Sequence, residues 1–470
     1  MGLPIIKTLT DKIGAAKVRT DDATLQERRH DYWVMSYLDD IQGRPAPKPA
    51  CVVQPDSVGD VVAVVNACRE NGVALIPFGL GSGVCGGIIS HPDKVLLDMS
   101  TMNRTRSISE TNLTASFEAG KNGGEANREV EKQGLIIGHW PQSVDVSSVG
   151  GWVSTRASGQ FSTAYGNIED VVYSYDAVLP NGEIFHAGKA PRASAGPDLR
   201  HILMGAEGTM GVITGVTFAL RRAPERRAHT AFHAKTMEAG LEAQRVIVQS
   251  GWLPVVMRQY DAVEANRNFS DHANEGESLL IMIHEGPDAK VEAELAGVRE
   301  IAEIMDLAPA NEEVVAEWFE ERNQVRSWDY YIERGIILDT IEVSAPWDKI
   351  GGIYRDVIQA IQPDPATGIL GASGHSSHVY RTGINLYFTF AATPDDPGTM
   401  AGLYNECWRR VMEATSAGGG GIAHHHGIGR LRKSYLPLDL GDGGTGLLRT
   451  LKQALDPTGF MNPGVLIPDA

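Results

Sequence analysis

The sequence has little cysteine and no long apolar run. Its 470 residues contain four cysteines at wide spacing, Cys51, Cys68, Cys85 and Cys407. Since they form neither a C-x-x-C pair nor a zinc spacing, they predict reduced thiols in a cytoplasmic protein. No segment approaches the roughly 18 uninterrupted apolar residues of a membrane span, so we expect no transmembrane helix. The first residues also lack the pattern of a secretory signal.

Positive charge is scarce as well. Lys and Arg total 42 against 59 Asp and Glu, which gives a formal net charge of −17. Proteins that bind nucleic acid need a basic face for the phosphate backbone, so we expect no nucleic-acid partner. The hydrophobic fraction of 42% and charged fraction of 21% are typical of a globular protein. The length predicts more than one domain.

Glycine, by contrast, is abundant and clustered. The 52 glycines concentrate in IPFGLGSGVCGG (76–87), SVGGWVSTRASG (148–159), MGAEGTMGVITG (204–215) and GGGGIAHHHGIG (418–429). In the first cluster, Gly79, Gly81 and Gly83 permit positive φ and let backbone N–H groups converge on an anion. The cluster matches neither the Rossmann fingerprint nor the Walker loop. Alone, it would indicate only a glycine turn.

Periodicity predicts the main helices and strands. Apolar residues at helical spacing, an Asp-Ser cap and Gly72 predict a helix over 56–72. In the first half we also predict strands at 73–79, 94–100 and 112–120 and a short helix at 122–134. In the second half we predict helices at 236–251 and 288–306 and strands at 278–286 and 382–392. The second pattern is typical of an antiparallel sheet with helices on one face.

Several long motifs in the same order resemble the FAD-binding domain of the vanillyl-alcohol-oxidase superfamily, and most closely its alkyldihydroxyacetonephosphate synthase branch. They are GGWVSTRASG, YGNIEDVV, GPDLRHILMGAEGTMGVIT, VSAPWDK and HHHGIGRLRK, within a similarity over most of residues 45–465. The resemblance implies an α+β fold, with a two-subdomain FAD-binding domain and an α+β cap domain built on an antiparallel sheet. The implied segments are an N-terminal helical segment (1–44), the FAD-binding domain (45–225), the substrate or cap domain (226–415) and a C-terminal return to the FAD domain (416–470).

The resemblance also implies FAD as the cofactor and names its contacts. The pyrophosphate stretch is Pro77, Phe78, Gly79, Leu80, Gly81, Ser82 and Gly83. The flavin and ribityl contacts are His139, Gln142, Ser143, Val144, Asp145, Val146, Ser147, Ser148, Thr155, Arg156, Ala157 and Ser158. The adenosine contacts are Glu207, Gly208, Thr209, Met210, Gly211, Val212 and Ile213, and Asn462 returns from the C-terminal tail. Because the pyrophosphate stretch contains no histidine, we expect non-covalent FAD.

Three consecutive histidines, His424, His425 and His426, lie in the motif that the resemblance puts beside the flavin. Histidine suits a base that takes a hydroxyl proton, because its pKa lies near neutrality. We therefore expect a catalytic histidine among these three, and the alternative is a polar loop that bonds to backbone. Further candidates are His375, His378 and His139, whereas we expect structural or surface roles for His91, His201 and His272.

A metal site is another alternative for these histidines. The related D-lactate dehydrogenase branch binds metal through two histidines seven residues apart and a later Glu-His-Gly. This chain has Asn385 where the partner of His378 would lie, and His425 in place of the glutamate. Since the expected carboxylate ligand is missing, we predict a site without metal.

Arg258, in VVMRQYD, matches an arginine of the family's substrate pocket. A fixed guanidinium there would bind a phosphate or carboxylate of the substrate in bidentate fashion, and the alternative is an ion pair with Asp261. His375 and His378 are assigned to the substrate pocket with Tyr380. Tyr380 would also help form a pocket for a phenolic substrate, together with Arg381, Tyr330 and Tyr331.

The chain departs from the ether-lipid synthases at two points. Ala392 stands where those enzymes need a tyrosine, and their second substrate arginine aligns with Trp328 or loosely with Arg326. Because alanine cannot replace a phenol in proton transfer, we predict an FAD-dependent oxidoreductase, a dehydrogenase or oxidase. It would transfer a hydride to flavin N5 from a CH–OH substrate, such as a 2-hydroxy acid or an aryl alcohol, with a histidine as base.

The alternatives are an ether-lipid transferase like alkyldihydroxyacetonephosphate synthase, which uses FAD without net redox change, and a flavin-binding protein without catalysis. The histidines and Arg258 favour catalysis. The expected partners are a small anionic or phenolic substrate and a second copy of the chain in a homodimer.

Overall fold

The computed structural model describes residues 4–324 and 327–469. Arg326, one of the two positions aligned with a second substrate arginine, lies outside the described residues. The chain divides into two compact units. Unit 1 is formed by Met1–Ser158, Asn167–Arg222 and His425–Ala470, and unit 2 by Gly159–Gly166 and Ala223–His424. The four segments proposed from the sequence stay a prediction.

Helices and strands both occur along the whole length of the described chain. The helices are α1 (Pro4–Ile13), α2 (Asp22–Glu27), α3 (Val34–Ile41), α4 (Val58–Asn71), α5 (Gly123–Glu131), α6 (Val149–Thr155), α7 (Ser162–Tyr165), α8 (Ile168–Val171), α9 (Arg200–Leu203), α10 (Met237–Gln249), α11 (Ala262–Asn268), α12 (Asp288–Ile304), α13 (Glu313–Glu321), α14 (Asp329–Ile332), α15 (Trp347–Ala360), α16 (Met400–Ala417) and α17 (Leu436–Leu455). The strands are β1 (Val18–Arg19), β2 (Cys51–Val53), β3 (Ala74–Phe78), β4 (Lys94–Asp98), β5 (Thr105–Ser109), β6 (Thr114–Glu118), β7 (Leu135–Ile136), β8 (Val172–Val178), β9 (Ile184–Ala187), β10 (Val212–Ala219), β11 (Arg221–Arg222), β12 (Arg226–Ala234), β13 (Val256–Tyr260), β14 (Ser278–Gly286), β15 (Ala308–Pro309), β16 (Ile337–Pro346), β17 (Ile369–Val379) and β18 (Gly383–Ala392). Helix α17 is kinked at Gly441. Each of these helices is too short or too polar to cross a membrane.

The helix predicted over 56–72 is confirmed as α4. Ser57 caps its first turn by accepting a hydrogen bond from Asp60 N at 3.2 Å, and Gly72 ends it with a left-handed φ of 63°. The strand predicted at 278–286 is β14, and the helix predicted at 236–251 is α10, capped by Thr236. Caps and periodicity therefore located these elements correctly.

Unit 1 contains two main sheets. In the first, ordered β1-β2-β4-β3, strand β4 lies parallel to both β2 and β3. The second, ordered β5-β6-β10-β8-β9, is antiparallel, and its core includes Phe117, Trp152 and Phe218. The C-terminal tail bonds to β3, where Leu75 N donates to Phe460 O at 2.9 Å. This contact holds the C-terminal tail beside β3, the strand that precedes the first glycine cluster.

Unit 2 is built on one seven-stranded sheet in the order β15-β12-β14-β13-β17-β18-β16. Each neighbouring pair of strands is antiparallel, which confirms the predicted antiparallel sheet. Neighbours along a strand point to opposite faces, so the sheet has two different surfaces.

One surface of this sheet is covered by helices. Gln259 bonds to Gln244 of α10, Phe388 stacks on Tyr354 of α15, and Asp339 accepts a bond from Tyr404 of α16. The opposite surface, which we call the site face, carries Arg258, Tyr260, His375, Ser377 and Tyr387. Helix α13 also reaches the site face through Trp318, which lies under the Arg258 guanidinium. The predicted helices on one face are confirmed as α10, α15 and α16, and α13 is an additional helix that reaches the site face.

Candidate functional site

In unit 1, the glycine cluster after β3 packs closely against neighbouring segments. A Cβ on Gly79 would lie 2.5 Å from Ser148 Oγ, and one on Gly81 would lie 2.8 Å from Phe78 Cζ. Gly81 also has a φ of +74°, a conformation that side chains disfavour. The predicted pyrophosphate stretch therefore lies against Ser148 of the predicted flavin stretch.

Asn462 joins two segments that are distant in sequence. Its Nδ2 donates to Gly87 O at 3.0 Å and to Glu207 O at 2.7 Å. The Glu207 carboxylate in turn accepts from Ile428 N at 2.7 Å and Gly429 N at 2.9 Å. The first glycine cluster, the 207–213 stretch, the segment after the three histidines and the C-terminal tail thus meet in unit 1.

Two carboxyl groups flank Gly87 in this cluster. A Cβ on Gly87 would lie 3.5 Å from Glu207 Oε2 and 3.7 Å from Asp31 Oδ2. Burial raises the pKa of both Asp31 and Glu207 to about 7. Backbone N–H groups that donate to both carboxyls oppose this shift. Asp31 was missed because it precedes the recognised motifs and belongs to none.

Buried polar atoms without partners supply a test of whether a polar cofactor fits unit 1. Within the described residues, both ring nitrogens of His139 and Asn462 Oδ1 are buried and have no hydrogen-bond partner. The His139 ring lies 4.8 Å from Trp152, and burial lowers its pKa to about 3. His139 is therefore neutral and poorly suited to act as a base. These atoms, beside glycines that leave no room for side chains, fit a bound FAD.

The remaining predicted cofactor contacts have diverse environments. Buried positions include Phe78, Val144, Ser147, Ala157, Ser158, Thr209, Met210, Val212 and Ile213. Three polar side chains have local partners: Thr155 Oγ1 donates to Gly151 O at 3.0 Å, Arg156 pairs with Glu169 at 2.8 Å and Asp145 with Arg128 at 2.9 Å. Pro77, Leu80, Ser82, Gly83 and Ser143 are half-buried, Gln142 and Val146 are exposed, and Gly208 and Gly211 are buried.

In unit 2, Arg258 is held by neutral partners. Its Nε donates to Tyr260 Oη at 3.0 Å and its Nη1 donates to Ser377 Oγ at 2.6 Å. Asp261, the alternative partner, instead accepts from Tyr354 Oη at 3.0 Å and Glu264 N at 2.8 Å. Within the described residues no carboxylate forms a salt bridge with Arg258. Two neutral side chains thus orient the guanidinium, and its charge helps lower the pKa of the nearby Glu264 carboxyl.

Three further predicted side chains of unit 2 form a hydrogen-bonded group. His424 Nε2 and Tyr380 Oη share a hydrogen bond of 2.6 Å, and the His424 ring stacks on His378 with centroids 4.9 Å apart. His378 Nδ1 and Ser162 Oγ share a hydrogen bond of 2.7 Å. His424 N also donates to Glu342 Oε1 at 3.2 Å. The group combines two imidazoles and a phenol suited to proton transfer.

His375 lies between two tyrosine rings on the site face. Its ring stacks on Tyr387 at 4.5 Å and tilts towards Tyr260 at 5.4 Å. Its Nδ1 lies 3.0 Å from Glu264 Oε1. Burial lowers the pKa of His375, although the Glu264 charge opposes that effect. Burial of Glu264 would raise its own pKa, but His375 and the nearby arginines lower it to about 2.

Only some of the residues of this site were identified from the sequence. His425 and His426 belong to unit 1, where their rings lie 4.6 Å apart. Tyr260, Tyr387, Ser377 and Glu264 were missed because they belong to no recognised motif. The period of two along β13 and β17 was the available signal, since it puts Tyr260 beside Arg258 and Ser377 beside His375.

Comparison with known families decides the relationship. Residues 49–188 match the family described as FAD binding domain, and residues 223–466 match the family described as FAD linked oxidases, C-terminal domain. The second match alone covers more than half of the chain.

The chain belongs to the FAD-linked oxidases. FAD is therefore its cofactor, and the chain is an oxidoreductase of this family. The FAD-linked oxidoreductase YgcU of Escherichia coli K12 is 33% identical over 480 residues, which cover 99% of this chain and 98% of YgcU. Alkyldihydroxyacetonephosphate synthase of Caenorhabditis elegans is 27% identical and aligned over 94% of this chain and 79% of its own length. The glycolate oxidase subunit GlcD of Bacillus subtilis is 26% identical and aligned over 88% of each chain.

The fold comparison agrees with the family match. A solved alkyldihydroxyacetonephosphate synthase structure superposes with a TM-score of 0.82 at 24% identity, covering 98% of this chain and 85% of that one. At that identity the likeness concerns the fold alone. It confirms the predicted α+β fold of the vanillyl-alcohol-oxidase type in this FAD-linked oxidase.

Proposed function

We propose that this FAD-linked oxidase oxidises a small CH–OH substrate that carries a negative charge, such as a 2-hydroxy acid. The proposal rests on the environment of Arg258. Its guanidinium is half-buried and oriented by Tyr260 and Ser377, and no carboxylate of the described residues lies within salt-bridge distance of it. Arginine in such a setting favours a planar anion that accepts two parallel hydrogen bonds, which a carboxylate provides.

The residues around Arg258 suit the chemistry of a hydroxyl next to that carboxylate. Oxidation removes the hydroxyl proton and the hydrogen of the adjacent C–H bond with its electron pair. FAD, when bound, is the acceptor of that hydrogen and its electron pair. The chain would supply the acceptor of the hydroxyl proton, and the histidines of unit 2 and of the 424–426 run are the candidate bases.

The comparisons support the hydroxy acid at the level of substrate class. A glycolate oxidase subunit is among the relatives, and glycolate is a 2-hydroxy acid. An aryl alcohol has less support, because Tyr330, one of the tyrosines expected in a phenol pocket, is 53% exposed. A homodimer in the cytoplasm and non-covalent FAD stay predictions.

One observation favours a second candidate, a transferase like alkyldihydroxyacetonephosphate synthase. The Tyr380 phenol bonded to His424 at 2.6 Å offers an acid–base group despite the alanine at position 392. A relative with that name aligns over most of this chain. This reaction would leave the flavin without net reduction, so one experiment separates the two candidates.

That experiment is anaerobic flavin bleaching. The FAD-loaded protein is mixed with glycolate or D-lactate, and in parallel with the matched neutral alcohols ethylene glycol and 1,2-propanediol. Dithionite gives the fully reduced reference spectrum. We expect a hydroxy acid to bleach the flavin at least about tenfold faster than its neutral analogue, which corresponds to one lost charged hydrogen bond. Equal rates for acid and alcohol would contradict an anionic substrate. If none of the four compounds bleached the flavin, the transferase would be the remaining candidate.

A further inference from the structure

We propose that His375 is the base that takes the substrate's hydroxyl proton and that Glu264 is its positioning residue. This proposal rests on the proposed function. It makes the acceptor of the substrate's hydroxyl proton a residue outside the run of three histidines. It also gives a role to Glu264, which lies in α11 and belongs to no recognised motif.

The pair has the geometry of a carboxylate-oriented imidazole. His375 Nδ1 lies 3.0 Å from Glu264 Oε1, and the two residues are 7% and 4% exposed. Arg267 pairs with the same Glu264 oxygen at 3.2 Å, and Ser373 Oγ donates to the other at 3.3 Å. These contacts fix the carboxylate, so Glu264 accepts the Nδ1 proton and fixes the histidine tautomer.

The second ring nitrogen is left available for a ligand. His375 Nε2 has no hydrogen-bond partner in the described part of the chain, and it is not fully enclosed. The other two histidines of the unit 2 site differ from it. A nitrogen of His378 bonds to Ser162, and Nε2 of His424 bonds to Tyr380. Of these three histidines, His375 is the one that has a buried carboxylate at one ring nitrogen and, within the described residues, no bonded partner at the other.

Strand register puts this nitrogen near the anion-binding arginine. His375 is the direct cross-strand neighbour of Tyr260 on β13 and of Tyr387 on β18. Arg258 lies two residues before Tyr260 on the same face and bonds to Ser377 of β17. Adjacent rows on one face of a sheet are about 7 Å apart. A 2-hydroxy acid bound through its carboxylate to Arg258 therefore has its hydroxyl within reach of His375.

The charges around His375 suit a neutral base. The groups that face it are Arg258 and Tyr260 from β13, Tyr387 from β18, and Glu264 and Arg267 from α11. Burial and the two arginines lower its pKa, whereas Glu264 raises it. In the reaction, the O–H bond breaks and its proton moves to Nε2, while the C–H hydrogen leaves with its electron pair for FAD. The substrate becomes the 2-oxo acid, and Glu264 stabilises the resulting imidazolium.

The test compares Glu264→Gln and His375→Gln with a matched control. Glu294→Gln alters an equivalent buried pair in the same unit, because His284 Nδ1 lies 3.0 Å from Glu294 Oε1 on the helix-covered face. We expect His375→Gln to slow flavin reduction by glycolate or D-lactate about 10²–10⁴-fold, the usual effect of one positioned base. We expect Glu264→Gln to slow it at least about tenfold. FAD content and the apparent Kd of the acid should stay near those of the control.

A pH profile separates positioning from a purely structural role. Since the Glu264 charge raises the pKa of His375, Glu264→Gln should lower that pKa. The acid limb of the reduction rate, where the base becomes protonated, should therefore move to lower pH. Histidine NMR gives a readout independent of turnover: the signal that His375→Gln removes should titrate at lower pH in Glu264→Gln.

Each outcome decides the inference. Bleaching of the wild type by a hydroxy acid, with Glu264→Gln and His375→Gln both within threefold of it, would overturn the inference and leave the proposed function standing. A large loss in His425→Ala or His426→Ala, with His375→Gln unaffected, would assign the base to the histidine run and also overturn it. Failure of every acid to bleach the wild type would remove the proposed function, and the inference with it.

Discussion

Replacing Arg258 with lysine tests the anion-binding step directly. Lysine keeps the positive charge but loses the planar fork of the guanidinium. In the structure, Tyr260 and Ser377 hold Nε and Nη1, which leaves Nη2 without a partner within the described residues. A single ammonium on a flexible stem cannot keep both neutral partners and also present two N–H groups to a carboxylate.

The size of the effect follows from the hydrogen bonds lost. We expect Arg258→Lys to lose one of two hydrogen bonds to the substrate carboxylate. A hydrogen bond to a charged group contributes about 1.5–3 kcal/mol. Since about 1.4 kcal/mol corresponds to a tenfold change, the apparent Kd of a 2-hydroxy acid should rise about 10–150-fold. Neutral alcohols, which lack the carboxylate, should show little change.

The assay is stopped-flow flavin reduction under anaerobic conditions at increasing substrate concentration. The concentration dependence gives the apparent Kd, and the plateau gives the limiting rate, which should change less. Arg299→Lys is the control, because Arg299 lies in α12 and pairs with Glu312 at 3.3 Å on the surface. An Arg258→Lys variant with normal FAD content and an unchanged Kd for the acids would refute the anion-binding role.

Three further predictions concern the cofactor and metals. Acid precipitation should release FAD into the supernatant, and flavin that stays in the pellet would contradict non-covalent binding. Gly81→Val should lose FAD, because Gly81 has a φ of +74° and a Cβ there would lie 2.8 Å from the Phe78 ring; Gly134→Val, with a φ of +69° and no atom within 4 Å, is the control that should retain it. Chelators and added zinc should leave the rate of flavin reduction unchanged, whereas activity lost on chelation and recovered with metal would indicate a metal site.

The cofactor and the fold could be predicted because their signals are local. A glycine that must adopt a positive φ, as Gly81 does, and a cap such as Ser57 are visible in a few consecutive letters. The order of several such motifs then identified the FAD-binding family. The same motifs named Asn462 and Glu207, which the structure joins through a hydrogen bond of 2.7 Å.

The candidate substrate site of unit 2 could be predicted only in part, because its geometry depends on strand register. His375 and Arg258 were named from motifs, but nothing in the sequence fixes which residues of β13 and β17 lie opposite each other. The register places Tyr260 beside His375, and the helix after β13 then brings Glu264 to its Nδ1. Such contacts join residues more than a hundred positions apart, so periodicity cannot reveal them.

Ala392 illustrates how a missing residue can mislead. From the sequence alone, this alanine predicts the loss of a phenol from the active site. Side chains alternate along β18, and Ala392 has the parity of Phe388 and Phe390, whose rings contact helices α15 and α16. A side chain at 392 therefore points to the helix-covered face, away from Tyr387. The lack of a tyrosine at position 392 therefore says nothing about the phenols that other strand positions bring to the site face. The choice between oxidation and transfer depends instead on whether substrate reduces the flavin.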